Sequence, residues 1–323
     1  MSKRIVVRRP GGPEVLEAED YDPPPPAAGE ARIRQTAIGL NFVDTYVRSG
    51  LYPSALPVTP GSEGAGVVEA VGEGVTEVKV GQRVAYSGAV GAYAQRRNAP
   101  VRVLVPLPDS IDDDQAAAMM LKGMTTQYLL RQTYVVKPGD TVLFHAAAGG
   151  VGLIACQWLK ALGATVIGTA GSEAKAALAK AHGADHVVLY NDEDFVAKVK
   201  EVTGGKGVPV VYDGVGKATF MKSLDCLAPR GLMASFGNAS GAVPPFSILT
   251  LSAKGSLYVT RPTLNTYIAS REDLVAPAHD LFDVVKSGAV KIEVNQTYAL
   301  KDAAQAHRDL ESRKTTGSTV LIP

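Results

Sequence analysis

Apolar and polar positions alternate in two different styles along this 323-residue chain. Ahead of Asp112 the apolar runs are short and separated by glycine and proline. Residues 1–9, with Ile5, Val6 and Val7, read as a strand leading into a Gly11-Gly12-Pro13 turn. Asp22–Pro26 (DPPPP) is a stiff extended loop. Gly29–Leu40 alternates with the period of two expected of a strand with one buried face. Asn41–Pro53 is polar and aromatic, with a break at Gly50. Gly61–Val71 is glycine-rich and then strand-like, and Val80–Tyr86 repeats that style. Many short strands and little helix predict a compact, mostly β domain.

From Asp112 the style changes. Asp112–Leu130 has a helical composition, broken around Gly123. Beyond the Pro138-Gly139-Asp140 turn, apolar strands and helices take turns. The strands are Thr141–His145, Thr165–Thr169, Val187–Tyr190, Val208–Tyr212, Leu232–Ser235 and Leu257–Val259. The helices between them are Gly150–Leu162, Glu173–Ala181, Asp194–Thr203 and Lys217–Leu227. Apolar strands joined by helical crossovers predict a doubly wound parallel sheet, so the chain as a whole is α/β. An amphipathic helix at Glu272–Lys286, a strand-like Ile292–Val294 and a helix near Ala303–Glu311 complete the chain.

The first strand of that alternation carries the strongest chemical signal. Thr141–Gly152 (TVLFHAAAGGVG) is an apolar strand, a glycine turn and the start of a helix. Ala146, Gly149 and Gly152 form A-x-x-G-x-x-G, a relative of the dinucleotide fingerprint. Small residues let the backbone approach a pyrophosphate and let the helix pack on the strand, and the helix N-terminus offers free N–H groups. An NAD-specific site places an acid at the end of the second strand. Here that position reads Thr169-Ala170-Gly171-Ser172-Glu173-Ala174-Lys175. Gly171 and Ser172 leave room for a 2′-phosphate and Lys175 can neutralise it, whereas Glu173 falls in a first helical turn where acids suit the dipole. The local chemistry favours NADP(H).

Composition narrows the classes. The net charge is +1, which provides no strong field for nucleic acid, membrane or acidic substrates. Cys156 and Cys226, the two cysteines, cannot build a disulfide framework or a zinc cluster, and such sparing use suits a reducing cytoplasm. The opening MSKRIVVRR lacks the apolar stretch of a signal peptide, and no apolar run reaches membrane-spanning length.

Several stretches together resemble the medium-chain dehydrogenase/reductase superfamily, and within it the zeta-crystallin-like NADPH:quinone oxidoreductases. They are GGPEVL (11–16), NFVDTYVRSGLYP (41–53), GSEGAGVVEAVG (61–72), HAAAGGVGLIACQW (145–158), VVYDGVG (210–216), SFGNASGAV (235–243), GSLYVTRP (255–262) and the LKDAAQAH and LESR segments of 300–313. The resemblance implies a GroES-like substrate domain, 1–124 with 265–323, and a Rossmann cofactor domain, 125–264. Zinc alcohol dehydrogenases of the same superfamily need a Cys and a His where this chain has Asn41 and Ser62. Neither substitute is a competent partner in a Cys–His zinc site, so no metal is expected. Glu63 reads as a structural acid near the cleft.

The resemblance also implies the cofactor contacts. Asn41, Phe42, Asp44 and Tyr46 would line the nicotinamide side, and Gly150 with Val151 the pyrophosphate. Gly171, Ser172, Lys175 and Tyr190 would surround the 2′-phosphate. Val215, Phe236, Gly237, Asn238 and Ser240 would border the ribose and nicotinamide, and Arg313 would reach back across the cleft. For catalysis the candidates are Tyr46, Arg48 and Tyr52, clustered on one segment. An aromatic wall stacks a flat acceptor, and a phenol or guanidinium stabilises the oxyanion that develops on reduction. The expected activity is NADPH-dependent reduction of a small-molecule quinone. Alternatives are an enone or enoyl reductase, or an RNA-binding or structural relative, although no basic-aromatic run supports the latter. The short, apolar Leu257–Val259 strand, uncharged and expected at a sheet edge, implies a homodimer.

Overall fold

A computed structural model describes residues 1–323. It divides into two compact units. The first holds residues 1–124, 267–286 and 292–323; the second holds 125–266 and 287–291.

In chain order the first unit begins with β1 (Lys3–Val6) and β2 (Glu17–Asp20), an antiparallel pair. There follow β3 (Glu30–Leu40), α1 (Phe42–Ser49), β4 (Glu63–Val71), β5 (Arg83–Ser87), β6 (Arg96–Pro100), β7 (Leu104–Pro106) and α2 (Asp113–Tyr128). The second unit contributes β8 (Thr141–Phe144), α3 (Gly150–Ala161), β9 (Thr165–Ala170), α4 (Glu173–Ala181), β10 (His186–Leu189) and α5 (Phe195–Val202). It continues with β11 (Val208–Asp213), α6 (Phe220–Ser223), β12 (Leu227–Ser235), α7 (Leu249–Ala253), β13 (Tyr258–Thr260) and α8 (Leu264–Tyr267). Then α9 (Arg271–Lys286), β14 (Val294–Ala299), α10 (Ala303–Glu311) and β15 (Ser318–Ile322) return to the first unit.

The large sheet of the first unit runs β14-β15-β3-β4-β5-β7, with β6 also on β3. Apart from the parallel β14–β15 pair, its ladders are antiparallel. In β3 the alternation works as the sequence predicts. Ala31, Ile33, Gln35 and Ala37 are buried, while Arg34 between them is exposed. The inner faces enclose a core that includes Ile33, Ile38, Val84, Leu104 and the fully buried tyrosines Tyr86 and Tyr93.

The sheet of the second unit is β10-β9-β8-β11-β12-β13, parallel throughout. Helices cover both faces of such a sheet, so its central strands are apolar on every residue rather than on alternate ones. Val142, Leu143 and Phe144 of β8 are all buried, as are Val210, Val211 and Tyr212 of β11. Strand order reverses between β8 and β11, the switch point beside which doubly wound sheets bind ligands. β13 lies at an open edge, as its composition implied.

Four expectations need correction. Gly123 does not break its helix: α2 runs through it, because a Cβ there would lie 2.5 Å from Leu281 Cδ1 on α9, so the glycine serves close packing. The helix expected over Lys217–Leu227 shrinks to α6 plus one 3-10 turn, Leu224–Cys226. The Asp213 carboxylate accepts hydrogen bonds from Val215 N, Gly216 N and Thr219 Oγ1 and holds a turn in place of the helix start. The strand near Ile292–Val294 begins at Val294 and runs through polar Asn295, Gln296 and Thr297, an edge position where a period-two apolar signal is weak. Finally, 287–291 goes with the second unit rather than with its sequence neighbours. The Gln157 carboxamide bonds both the N–H and the C=O of Lys291 and ties this loop to α3.

Candidate active site

In the second unit the candidate site is built from backbone. β8 ends at Phe144, and the chain then turns sharply through 145–149 into α3. Ala146 adopts a left-handed conformation, φ 55°, where the dinucleotide fingerprint ordinarily has glycine. It is held there by Thr169 at the end of β9. Thr169 Oγ1 accepts from Ala146 N at 3.2 Å and bonds His145 Nδ1 at 3.1 Å, while Thr169 O accepts from Ala147 N at 2.9 Å. His145 Nε2 bonds Ser223 Oγ at 2.8 Å, and burial pushes its pKa down. At Gly152 a Cβ would lie 2.4 Å from Ala146 O, so only glycine lets the helix close on the turn. Gly150 and Val151 are thereby the first residues of α3, where N–H groups have no intrahelical partner.

The end of β9 is equally specific. A Cβ on Gly171 would lie 2.6 Å from the Tyr190 hydroxyl, so the glycine makes room for that phenol beside Ser172. The Ser172 hydroxyl caps α4 by accepting from Lys175 N at 3.4 Å. Asn191 Nδ2 donates to Gly171 O at 3.1 Å and fixes the segment that carries Tyr190. Gly171, Ser172, Lys175 and Tyr190 are therefore brought together at one strand end. At the other side of the switch point Val215, Phe236, Gly237, Asn238 and Ser240 also meet. A Cβ on Gly237 would lie 2.4 Å from Gly214 O, and one on Gly216 3.3 Å from Asn238 Cα. The Ser240 hydroxyl is already spent, donating to Val215 O at 2.7 Å and accepting from Ala218 N at 3.0 Å. It staples the loop that carries Asn238.

In the first unit the candidate site is built from side chains. α1 starts at Asn41, whose N–H donates to Asp44 Oδ2 at 2.9 Å, one half of a capping box. Gly50, φ 80°, ends the helix in the left-handed conformation such caps require. The helix sets Phe42 against Tyr46 and Tyr46 against Tyr52, with ring centroids 6.4 and 5.2 Å apart. The three rings thus lie side by side along the segment.

Two charged residues of this segment, Arg48 and Asp44, are turned into the protein rather than toward a ligand. Arg48 is 2% exposed. Its guanidinium makes a bidentate pair with Glu311, at 2.6 and 3.0 Å, approaches His307 Nδ1 at 3.0 Å, and donates through Nε to Gly11 O at 3.1 Å. The expectation that Arg48 polarises a substrate carbonyl is corrected: the side chain is buried and four of its five N–H groups are directed at Gly11, His307 and Glu311. Asp44 is fully buried and accepts from Asn41 N, from Ser62 Oγ at 3.0 Å and from Tyr93 OH at 3.2 Å. Its expected role on the nicotinamide side is likewise corrected to an internal one. Burial raises its pKa to about 7, against the hydrogen bonds that favour the anion, with nearby Glu63 adding to the rise. Arg313 lies just past α10 with a left-handed φ of 59°, its N–H on Leu310 O.

Glu63 is the structural acid expected. It is buried and receives Asn41 Nδ2 at 2.7 Å, Leu121 N at 2.7 Å and the Lys122 ammonium at 2.5 Å. This donor set does not fit a metal ion. Asn41 and Ser62 direct hydrogens at their carboxylate neighbours, a cation already occupies Glu63, and no three His, Cys, Asp or Glu side chains gather as ligands. Lys122, Tyr93 and His307 were missed in the sequence. Lys122 had a signal, a lone cation within the apolar run AAAMMLKGM. Tyr93 and His307 had none, because they meet across 214 positions.

Comparison with known proteins agrees with this architecture. Residues 27–109 match the alcohol dehydrogenase GroES-like domain family and residues 150–280 the zinc-binding dehydrogenase family. A quinone oxidoreductase of Pseudomonas aeruginosa is 58% identical, with all of both chains covered. A 2-haloacrylate reductase of a Burkholderia species is 47% identical over 100% of this chain and 99% of the relative. The crystal structure of Escherichia coli quinone oxidoreductase complexed with NADPH superposes with a TM-score of 0.98 at 53% identity, covering 99% of this chain and 100% of the other. The chain belongs to the quinone oxidoreductase family of the medium-chain dehydrogenases/reductases.

Proposed function

We infer that this chain reduces quinones with NADPH and without a metal ion. The observation that carries the reading is the end of β9, where Ala170, Gly171 and Ser172 carry no carboxylate, Glu173 falls in the first turn of α4, and Gly171 yields its side-chain space to the Tyr190 phenol. Tyr190, Ser172 and Lys175 then receive a 2′-phosphate, and the free N–H groups of Gly150 and Val151 receive the pyrophosphate. Phe236, Gly237 and Asn238 would border the ribose and nicotinamide. Bound NADPH supplies the hydride, and the medium supplies the proton that completes the hydroquinone. The Phe42–Tyr46–Tyr52 wall orients the flat acceptor by stacking, Asn41 at the start of α1 would border the nicotinamide, and a tyrosine hydroxyl stabilises the charge that develops on the acceptor oxygen. Arg313, on the C-terminal segment, would be a further cofactor contact.

The full-length quinone oxidoreductase relatives support this reading. The 2-haloacrylate reductase supports a second, in which the same machinery reduces an activated carbon–carbon double bond. The test is turnover of an ortho-quinone and of an enone side by side, with NADPH and with NADH. Quinone reduction favouring NADPH is the expected result; good enone turnover with no quinone turnover would replace the first reading by the second. Activity unchanged by chelators, with no stoichiometric zinc by elemental analysis, is expected as well.

For assembly we propose a homodimer formed through β13. Tyr258 and Val259 are exposed at this open edge, and pairing with a second copy would continue the sheet. A monomer by light scattering at micromolar concentration would count against it. No helix is long and apolar enough to cross a membrane, and both cysteines are free and buried. We place the chain in the cytoplasm on that cysteine chemistry.

A further inference from the structure

The first unit contains a line of buried polar groups that the reaction above does not use. Arg48, His307, Tyr93 and Asp44 are each no more than 2% exposed, and successive polar atoms lie 3.0, 3.0 and 3.2 Å apart. The direction of every hydrogen bond in it is fixed. An arginine only donates, so His307 Nδ1 must be a bare acceptor. The ring hydrogen is then on Nε2 and is given to the Tyr93 oxygen, which leaves the phenol hydrogen for Asp44 Oδ2. The bidentate Glu311 pair anchors the outer end of the line, and the inner end is a carboxylate that also receives the Asn41 N–H and the Ser62 hydroxyl.

We propose that Tyr93 and His307 are positioning residues for hydride transfer: a one-way chain of donors from Arg48 to Asp44 clamps α1, and with it Asn41, Tyr46 and Tyr52, in the geometry that receives the acceptor. The chain needs an acceptor at its inner end, so the clamp is complete when Asp44 is ionised. A proton on Asp44 makes one of its oxygens a donor, in conflict with Asn41 N–H, Ser62 Oγ–H or Tyr93 O–H. Because burial pushes Asp44 up to about 7, that conflict arises within the ordinary working range. His307 is no competing switch, since burial and the Arg48 charge push it down to about 3. The charged or titratable groups facing Asp44 are Glu63 on β4, itself neutralised by Lys122 of α2, Tyr93 after β5, Arg48 on its own helix, and His307 with Glu311 behind it on α10.

The proposal rests on the quinone reading only for the choice of acceptor. Two measurements test it. In the wild type, 15N NMR should find His307 as the neutral Nε2–H tautomer throughout pH 5.5 to 8.5, roughly the span in which an ordinary histidine titrates; an Nδ1–H tautomer or an imidazolium would overturn the chain's direction. In turnover, kcat/KM of the wild type should fall on the acid side of an apparent pKa near 7. Tyr93→Phe removes one hydrogen bond to the anion, so this acid limb should move up by about one pH unit. At pH 9, where Asp44 is ionised in both proteins, its activity should stay somewhat below the wild type's, because the chain is cut between His307 and Asp44. A Tyr93→Phe profile that superimposes on the wild type's would overturn the proposal, as would a uniform loss at every pH, the mark of a merely structural residue. If the enzyme reduced enones and no quinones, the same profile read with an enone would still decide this proposal, and the tautomer requires no turnover.

Discussion

The two units reach a binding surface by opposite means. In the second unit the groups offered to a ligand are backbone N–H groups, and glycines make the approach: Gly152 lets α3 meet its turn and Gly171 lets Tyr190 meet the strand end. In the first unit the backbone only delivers side chains, and their placement rests on buried charges neutralised over long sequence distances, Glu63 by Lys122 and Arg48 by Glu311. A backbone site tolerates little change of shape but carries no charge that must be compensated. A side-chain site is adjustable, yet each member left without its partner is a buried charge. Substitutions should therefore act through fit in one unit and through electrostatics in the other.

The largest effect should come from Lys122→Met. It keeps the length and apolar stem of a 4%-exposed side chain and removes the only cation on Glu63 among the bonds described above. Breaking a buried pair on one side costs about 3–5 kcal/mol. Urea unfolding should show that loss, and adding Glu63→Gln should recover much of it because the stranded charge is gone. A single variant within about 1 kcal/mol of wild type, the worth of a surface pair, would erase the contrast between the units.

Next comes Lys175→Ala, a removed charge in the backbone-built unit. Lys175 is half-buried at the first turn of α4. The loss of one charge-assisted contact, about 1.5–3 kcal/mol, corresponds to about 10- to 100-fold weaker NADPH binding. NADH binding and stability should hardly change. Equal weakening of both cofactors, measured by fluorescence titration, would sink the assignment of Lys175 to the 2′-phosphate.

His307→Gln should show a smaller effect, with a sign that depends on pH. The native His307 is held down to about 3, whereas the unfolded chain keeps the ordinary 6.5. Below pH 6.5 the unfolded state therefore binds a proton that the native state refuses, and native stability is lost as pH falls from 6.5 toward 3. At pH 5 that amounts to about 2 kcal/mol. Glutamine can still accept from Arg48 and donate to Tyr93 but does not titrate. The stability difference between pH 7.5 and pH 5 should shrink by about that amount in the variant; an unchanged difference would remove His307 from the set of buried neutral groups.

The same division explains what could be read from the sequence. The strand, turn and helix around Ala146–Gly152, the helix Glu173–Ala181 and the absent acid after Thr169 are local, so spacing and residue size were enough. α1 was not legible as a helix, since in Asn41–Pro53 the apolar period is masked by buried polar residues, Asp44 and Arg48 among them. Nor was Arg48's role, because the partners that occupy its guanidinium lie 259 and 263 positions away. Spacing reveals chemistry that neighbours in sequence share, and these side chains share nothing until the chain has folded.

The smallest effect tests the backbone side at its least regular point. Ala146 occupies the first small position of A-x-x-G-x-x-G at φ 55°, a conformation that costs a residue with a Cβ about 1–2 kcal/mol. Glycine there would relieve that cost but would lose more conformational freedom on folding, about 0.5–1 kcal/mol. Ala146→Gly should therefore be stabilising by only about 0.5 kcal/mol. It should nonetheless weaken NADPH binding a few-fold, since alanine narrows the conformations open to the turn and Thr169, bonded to Ala146 N and Ala147 N, would then hold a more mobile backbone. Thr169→Val separates the two contributions, because it removes the hydroxyl on Ala146 N and leaves the carbonyl on Ala147 N in place. If Ala146→Gly bound NADPH more tightly than wild type, the strained alanine would be a burden on the turn rather than part of its pre-organisation.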